Sequence, residues 1–153
     1  MSKTRGFEVV EDWARKYPES EIKLPRRSTE FSAGYDFVLA KDVEIQANSS
    51  VLFWTDVKAY MKEDEHLAIT IRSSLGINKG LYLLNQVGII DCDYYGNEKN
   101  DGNIGMGIRN SNPFPVVLKK GEKIAQGRFL KYFITDDDQT FDKRNGGIGS
   151  TNK

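Results

Sequence analysis

The sequence predicts an all-β fold, and three observations carry that expectation. Seven segments are short and rich in β-branched or aromatic residues: FEVV (7–10), YDFVLA (35–40), VLFW (51–54), HLAITIR (66–72), GLYLLN (80–85), IGMGI (104–108) and PVVLK (115–119). Gly, Pro or Asn punctuates the chain between many of them. Within HLAITIR, Leu67, Ile69 and Ile71 alternate with His66, Ala68, Thr70 and Arg72, the period of a strand with one face inward. Many short strands in 153 residues suit a sandwich, jelly roll or small barrel.

Helical signals are few. EDWARKYPE (11–19) predicts a short helix ended by Pro18, and SSLGIN (73–78) a single turn after a strand. Repeats, heptads and linker-like stretches are absent from the sequence, so residues 1–153 read as one domain. Lys and Arg total 22, as do Asp and Glu, and this zero net charge argues against a surface that coats nucleic acid. Apolar runs are too short for a membrane span, and the single cysteine, Cys92, cannot form an internal disulfide; a reducing cytoplasm is expected.

Five stretches could carry chemistry. GIIDCDYYGN (88–97) places Asp91 and Asp93 two residues apart, at the end of an apolar run expected to be a buried strand; turn punctuation explains the same residues. AGYDF (33–37) reads as a turn into a strand. RSSLG (72–76) offers Arg72, two hydroxyls and the N–H groups of a helical turn, a phosphate cradle or a capped helix start. GEKIAQGRF (121–129) feeds a strand in which Gln126 is the odd polar residue. RNGGIGSTN (144–152) is glycine-rich with one arginine, composed like slack chain yet furnished like an anion-binding loop. His66, the only histidine, follows the acidic run KEDE and is expected in solvent. A Ser-His-Asp triad, a cysteine nucleophile and a zinc site all lack partners.

In this order the five stretches resemble the five motifs of the trimeric dUTPase family, from Ala33 to Thr151. GFEVV, LPRRST, SAGYDF and DYYGN are most similar to the Gram-positive bacterial and phage type. The resemblance implies a jelly-roll-like distorted β-barrel and a homotrimer in which the C-terminal tail is exchanged between subunits. It implies hydrolysis of dUTP to dUMP and pyrophosphate, which limits uracil incorporation into DNA and supplies dUMP.

Residue by residue, the resemblance implies that Asp91 orients and deprotonates the attacking water. Tyr94 would pack on the deoxyribose and exclude a 2′-hydroxyl. The hairpin at Gly88, Ile89 and Ile90, with Gly105 on the return strand and Asn85 assisting, would read the uracil edge. Arg72, Ser73 and Ser74 would hold the phosphates, with Gln126 adding a contact. Asp36 would face a magnesium ion through water. Residues 144–153 would form a flexible lid in which Arg144 reaches the γ-phosphate, Ile148 covers the base, and Gly149, Ser150 and Thr151 donate hydrogen bonds.

Departures from the family pattern are small. Ser74 stands for a glycine, Gly76 for an alanine, Asn152 for a final glycine and Ile148 for a stacking phenylalanine. An insertion at 97–102, NEKNDG, is expected to be a solvated loop. A related dCTP deaminase would need a glutamate where Gly107 stands, three residues before Asn110. A repressor protein would be an added partner if the chain were of the regulatory phage type; neither nucleic acid nor membrane is an expected partner.

Overall fold

The computed structural model describes residues 2–152. Met1 and Lys153, the ends of the predicted domain and the last residue of the predicted lid, lie outside the described residues. Twelve strands and one α-helix form in the order β1 (Gly6–Val9), β2 (Arg26–Arg27), β3 (Tyr35–Val38), β4 (Val43–Ile45), β5 (Ser49–Trp54), β6 (Val57–Tyr60), β7 (Glu65–Ile71), α1 (Ser73–Lys79), β8 (Leu81–Leu83), β9 (Gly88–Asp91), β10 (Gly105–Asn110), β11 (Val116–Leu118) and β12 (Lys123–Lys131). They assemble as a five-stranded sheet ordered β2-β3-β12-β7-β9, a three-stranded sheet β5-β10-β8, and the pairs β1-β6 and β11-β4. The strand pairings within these sheets are antiparallel. The result is the jelly-roll-like all-β fold that the sequence predicts.

Inward-facing branched residues hold the sheets together. Phe37, Ile45, Leu67, Ile69, Leu81, Ile104, Ile108, Leu118 and Ile124 are fully buried in one apolar cluster. Each such side chain contributes about 1.5–3 kcal/mol through removal from water. Alternation along β7 is incomplete: Leu67 and Ile69 are buried, but so is Ala68, because β7 lies between β12 and β9 and a methyl group is easily covered. Buried polar groups are satisfied as well. The amide of Asn110 donates to the carbonyls of Ile45 (3.0 Å), Gln46 (3.2 Å) and Phe114 (2.9 Å), which fastens the end of β10 to the β4–β11 pair.

Several local expectations are corrected. The predicted helix at 11–19 is only a 3-10 turn at Asp12–Ala14, because Arg15 turns extended (φ −66°, ψ 133°) and Pro18 disfavours helix at Tyr17. The single turn at 73–78 is a seven-residue helix. β9 is an edge strand rather than a buried one, with Ile89 exposed. His66 is half-buried, its ring 6.1 Å from that of Tyr132.

The insertion at 97–102 is the largest correction. Asn97 and Asp101 are buried, as is the following Asn103. Asp101 accepts from Lys58 Nζ (2.7 Å) and from the Glu11 N–H (2.7 Å), while Lys58 is itself buried beneath the Tyr95 ring. Glu98 and Lys99 at the tip face water, but the Asp101 carboxylate and the Asn97 amide find their partners inside the protein.

Candidate active site

Asp91 closes β9, where strand geometry gives way to a 3-10 turn at Cys92–Tyr94. That turn swings Tyr94 inward, so that Tyr94 is buried while Asp91 keeps about half of its side chain accessible. Both residues line a cavity of about 570 Å³. Leu52 and Trp54 of β5, Asn85, the Gly88–Asp91 strand and Gly105–Gly107 of β10 form the rest of its wall. Sequence reasoning placed Asn85, Gly88, Ile89, Ile90, Asp91, Tyr94 and Gly105 at one site, and the fold brings all of them together. It missed Leu52 and Trp54, whose strand pairs with β10 in a register that only tertiary structure sets. A side chain at position 107, where a deaminase would need its glutamate, would put its Cβ 2.9 Å from Leu84 Cδ1, so the exposed Leu84 side chain would have to shift to admit one.

The C-terminal segment lies over this cavity. Arg144 Nη2 donates to Asp91 (2.5 Å) and Arg144 Nε to Asp93 (2.7 Å). Gly147 packs on the Tyr94 ring so closely that a Cβ there would stand 2.8 Å from Tyr94 Cε2. Ile148, Gly149 and Thr151 line the opening, with Ile148 81% exposed. Ser150 Oγ is buried and lacks a hydrogen-bond partner among the described residues. Exchange of the tail between subunits concerns further copies of the chain; within this one chain, the segment rests on its own hairpin.

The phenol of Tyr94 is gripped from two sides. Its hydroxyl donates to the Asn103 carbonyl and accepts from Asn100 Nδ2 (2.8 Å). Burial pushes the phenol above its ordinary range, with the Asn100 donation and Arg144 opposing.

The predicted phosphate-binding residues gather elsewhere. Arg72 is the extended residue before α1 (φ −68°, ψ 142°), and the first-turn N–H groups of Ser73 and Ser74 have no acceptor within the helix. Asp36 stands opposite Gln126 in the β3–β12 register, and the Gln126 side chain packs over Gly34. Arg72 Nε and Lys123 Nζ approach Asp36 at 3.6 and 3.4 Å, and the Ser28 hydroxyl donates to it. None of Arg72, Ser73, Ser74, Gln126 or Asp36 lines the cavity. The reason lies in β7. Asp91 pairs with His66 near one end of that strand, and Arg72 follows its other end. Six residues of extended chain span roughly 20 Å.

The donor set bears on the metal. Among the described residues, no group of three or more His, Cys, Asp or Glu could hold an ion. Asp36, the expected water-mediated contact, already faces a hydroxyl and two cations. Asp36 is thus a single buried carboxylate, and magnesium, which keeps several waters, would meet it only through them.

Comparisons with known proteins bear on the family and the fold. The dUTPase family model matches residues 20–151. Deoxyuridine 5'-triphosphate nucleotidohydrolase of Lactococcus lactis is 45% identical over 151 residues, 97% of this chain and 98% of that protein. The crystal structure of dUTPase from Streptococcus mutans superposes with a TM-score of 0.75 at 41% identity, covering 86% of this chain and 98% of that one. A mutant dUTPase from phage phi11 of S. aureus, described as coordinating a structural Mg(II) ion, shares the fold with a TM-score of 0.70 at 18% identity, over 92% and 98% of the two chains.

Proposed function

The chain belongs to the dUTPase family, of the type found in Gram-positive bacteria, and from that premise we propose how its residues divide the hydrolysis of dUTP to dUMP. Asp91 is the base. Its carboxylate is accessible at the rim of the cavity, where it would take a proton from a water attacking the α-phosphorus in line, with pyrophosphate leaving. Uracil would enter between Gly88–Ile90 and Gly105, which line the cavity, where backbone groups would read the base edge and a tight hairpin would exclude a methyl group. Tyr94 would stand against the deoxyribose. Arg144 would exchange its carboxylate partners for the γ-phosphate, and the Ser150 hydroxyl would gain the acceptor it lacks.

The distance along β7 supports a site shared between copies. His66, the register partner of Asp91, lies roughly 20 Å along the strand from Arg72, and Arg72, Ser73, Ser74 and Gln126 lie outside the cavity, so a second copy would present them. A homotrimer with three such junctions satisfies this requirement. Asp36 would then hold Arg72 in place. Magnesium would enter with the triphosphate and supply charge neutralisation there, with Asp36 facing it through water. The activity would act on a cytoplasmic nucleotide pool.

The single observation that carries the reading is Asp91 and Tyr94 side by side on one cavity rim. Pyrophosphate release from dUTP, set against dCTP, dTTP and UTP, tests it together with the Asp91→Asn variant. Turnover confined to dUTP, and reduced by roughly 10²–10⁴-fold in Asp91→Asn, is expected. Full activity in Asp91→Asn would remove Asp91 as the base.

A further inference from the structure

A wall that discriminates between sugars works only if it does not yield. The Tyr94 ring hangs from its Cα by two rotatable bonds, so its far end needs an anchor. Two contacts supply one, the first from the inserted loop and the second from the residue that follows it: Asn100 Nδ2 donates to the hydroxyl at 2.8 Å, and the hydroxyl donates to the Asn103 carbonyl.

We infer that Asn100 is a positioning residue for Tyr94, and that the 97–103 loop thereby sets the preference for deoxyribonucleotides over ribonucleotides. The inference rests on the reading of Tyr94 as the wall beside the sugar. The orientation of the Asn100 amide is not arbitrary. Its Oδ1 accepts from Asn97 Nδ2 (2.7 Å) and from the Gly102 N–H (3.1 Å), so the NH₂ group must face the phenol. Asn103 is equally fixed: it is fully buried, its Nδ2 donates to Asp56 (2.8 Å) and to the Ala14 carbonyl (3.1 Å), and its Oδ1 accepts from the Asp56 N–H (2.9 Å). Lys58 and the Glu11 N–H hold the intervening Asp101. The far end of Tyr94 is thus tied, through two asparagines, to buried parts of the protein.

Asn100→Asp tests this with little change in shape. The carboxylate keeps the acceptor that Asn97 and Gly102 use but turns the donor facing the phenol into an acceptor. With one proton to give, the phenol either donates to the carboxylate and releases the Asn103 carbonyl or keeps Asn103 and faces the new charge unpaired, so one of its two anchors is lost either way. The ratio of kcat/KM for dUTP to that for UTP is expected to fall roughly tenfold, chiefly through a lower KM for UTP. The Tm should stay within about 3 °C of wild type, because the loop keeps its other anchors. Asn100→Ala, which deletes the donor outright, should lower the ratio in the same direction. Tyr94→Phe should lose a similar factor, and Asn100→Asp in the Tyr94→Phe background should add nothing further.

An unchanged ratio in both Asn100 variants would overturn the inference, as would losses that add in the double variant. If Tyr94→Phe and Tyr94→Ala both keep wild-type selectivity, the sugar-wall reading itself fails and this inference falls with it. That outcome is separable from the first, because it needs no change at position 100.

Discussion

Arg144 in the C-terminal segment donates to Asp91 at 2.5 Å and, through its other edge, to Asp93 at 2.7 Å. One guanidinium thus spans both carboxylates of the turn that ends β9, with only 18% of its side chain exposed. Two bonds from one rigid fork fix the segment over the cavity more firmly than a lysine could.

The fork separates two roles for Arg144, closing the lid and stabilising charge. Arg144→Gln should lower kcat/KM for dUTP by roughly 10²–10³-fold, the range for removing a preorganised donor to developing charge. Asp93→Asn weakens only the closing contact, so it should cost less than tenfold while speeding amide exchange across 144–152 in the unliganded protein. Full activity in Arg144→Gln would exclude its role at the phosphates.

Gly147 sits where any other residue would collide with an immovable neighbour. A Cβ would stand 2.8 Å from Tyr94 Cε2 and 3.1 Å from the hydroxyl, and that ring is held at its far end. Gly147→Ala should therefore displace the segment rather than the tyrosine. The KM for dUTP should rise roughly tenfold, with the Tm within about 2 °C of wild type because the core is untouched. An unchanged KM would mean that the closed segment is not the form that binds substrate.

Ile148 lies at the mouth of the cavity and is 81% exposed. Such a side chain has room to become aromatic and would gain from stacking on a base. Ile148→Phe should tighten binding of a non-hydrolysable dUTP analogue by about three- to tenfold, as measured by calorimetry. No change would mean that the segment does not cover the base.

Acid stability should depend on Asp56. Burial alone would push its carboxyl up, but the N–H groups of Lys16 and Tyr17, the Asn103 amide and Arg15 outweigh it and hold the carboxyl below the ordinary range. A folded pKa below the unfolded one stabilises fully above the ordinary aspartate value near 4, and that stabilisation is lost as pH falls through the folded value. Thermal melts of the wild type should show this loss on acidification. Asp56→Asn should lack that component and be less stable at pH 7 by about 3 kcal/mol, because Arg15 is left without its anion. Parallel Tm–pH curves for the two proteins would sink the assignment.

Much of the site was legible because its residues are close in sequence. Asp91 and Tyr94 are three residues apart, and the Gly88–Ile90 strand runs directly into them, so local order carried the grouping into the fold. Arg144 was legible as the one arginine opening a glycine-rich end, whereas Ile148 was singled out only by its match to the family's phenylalanine. The loop at 97–102 was not. Its residues are those of a solvated turn, and what buries them is Lys58, the Glu11 N–H and Asp56, all distant in sequence. Strands β4 and β6 were missed for a related reason: VEI and VKAY are short, and each becomes a strand by pairing with a distant partner.

The sequence by itself determined the fold class, through period-two apolar segments, and the family, through five motifs in order. Periodicity suffices for the first; the second rests on resemblance to a known family, since composition and spacing alone reach only a phosphate-handling β domain. Only the tertiary structure decided that Asp91 and Arg72 stand near opposite ends of β7, and that Asn100 and Asn103 hold Tyr94. Strand pairing is made by backbone hydrogen bonds that every residue offers alike, so register, and the distances that follow from it, is settled by how the whole core packs.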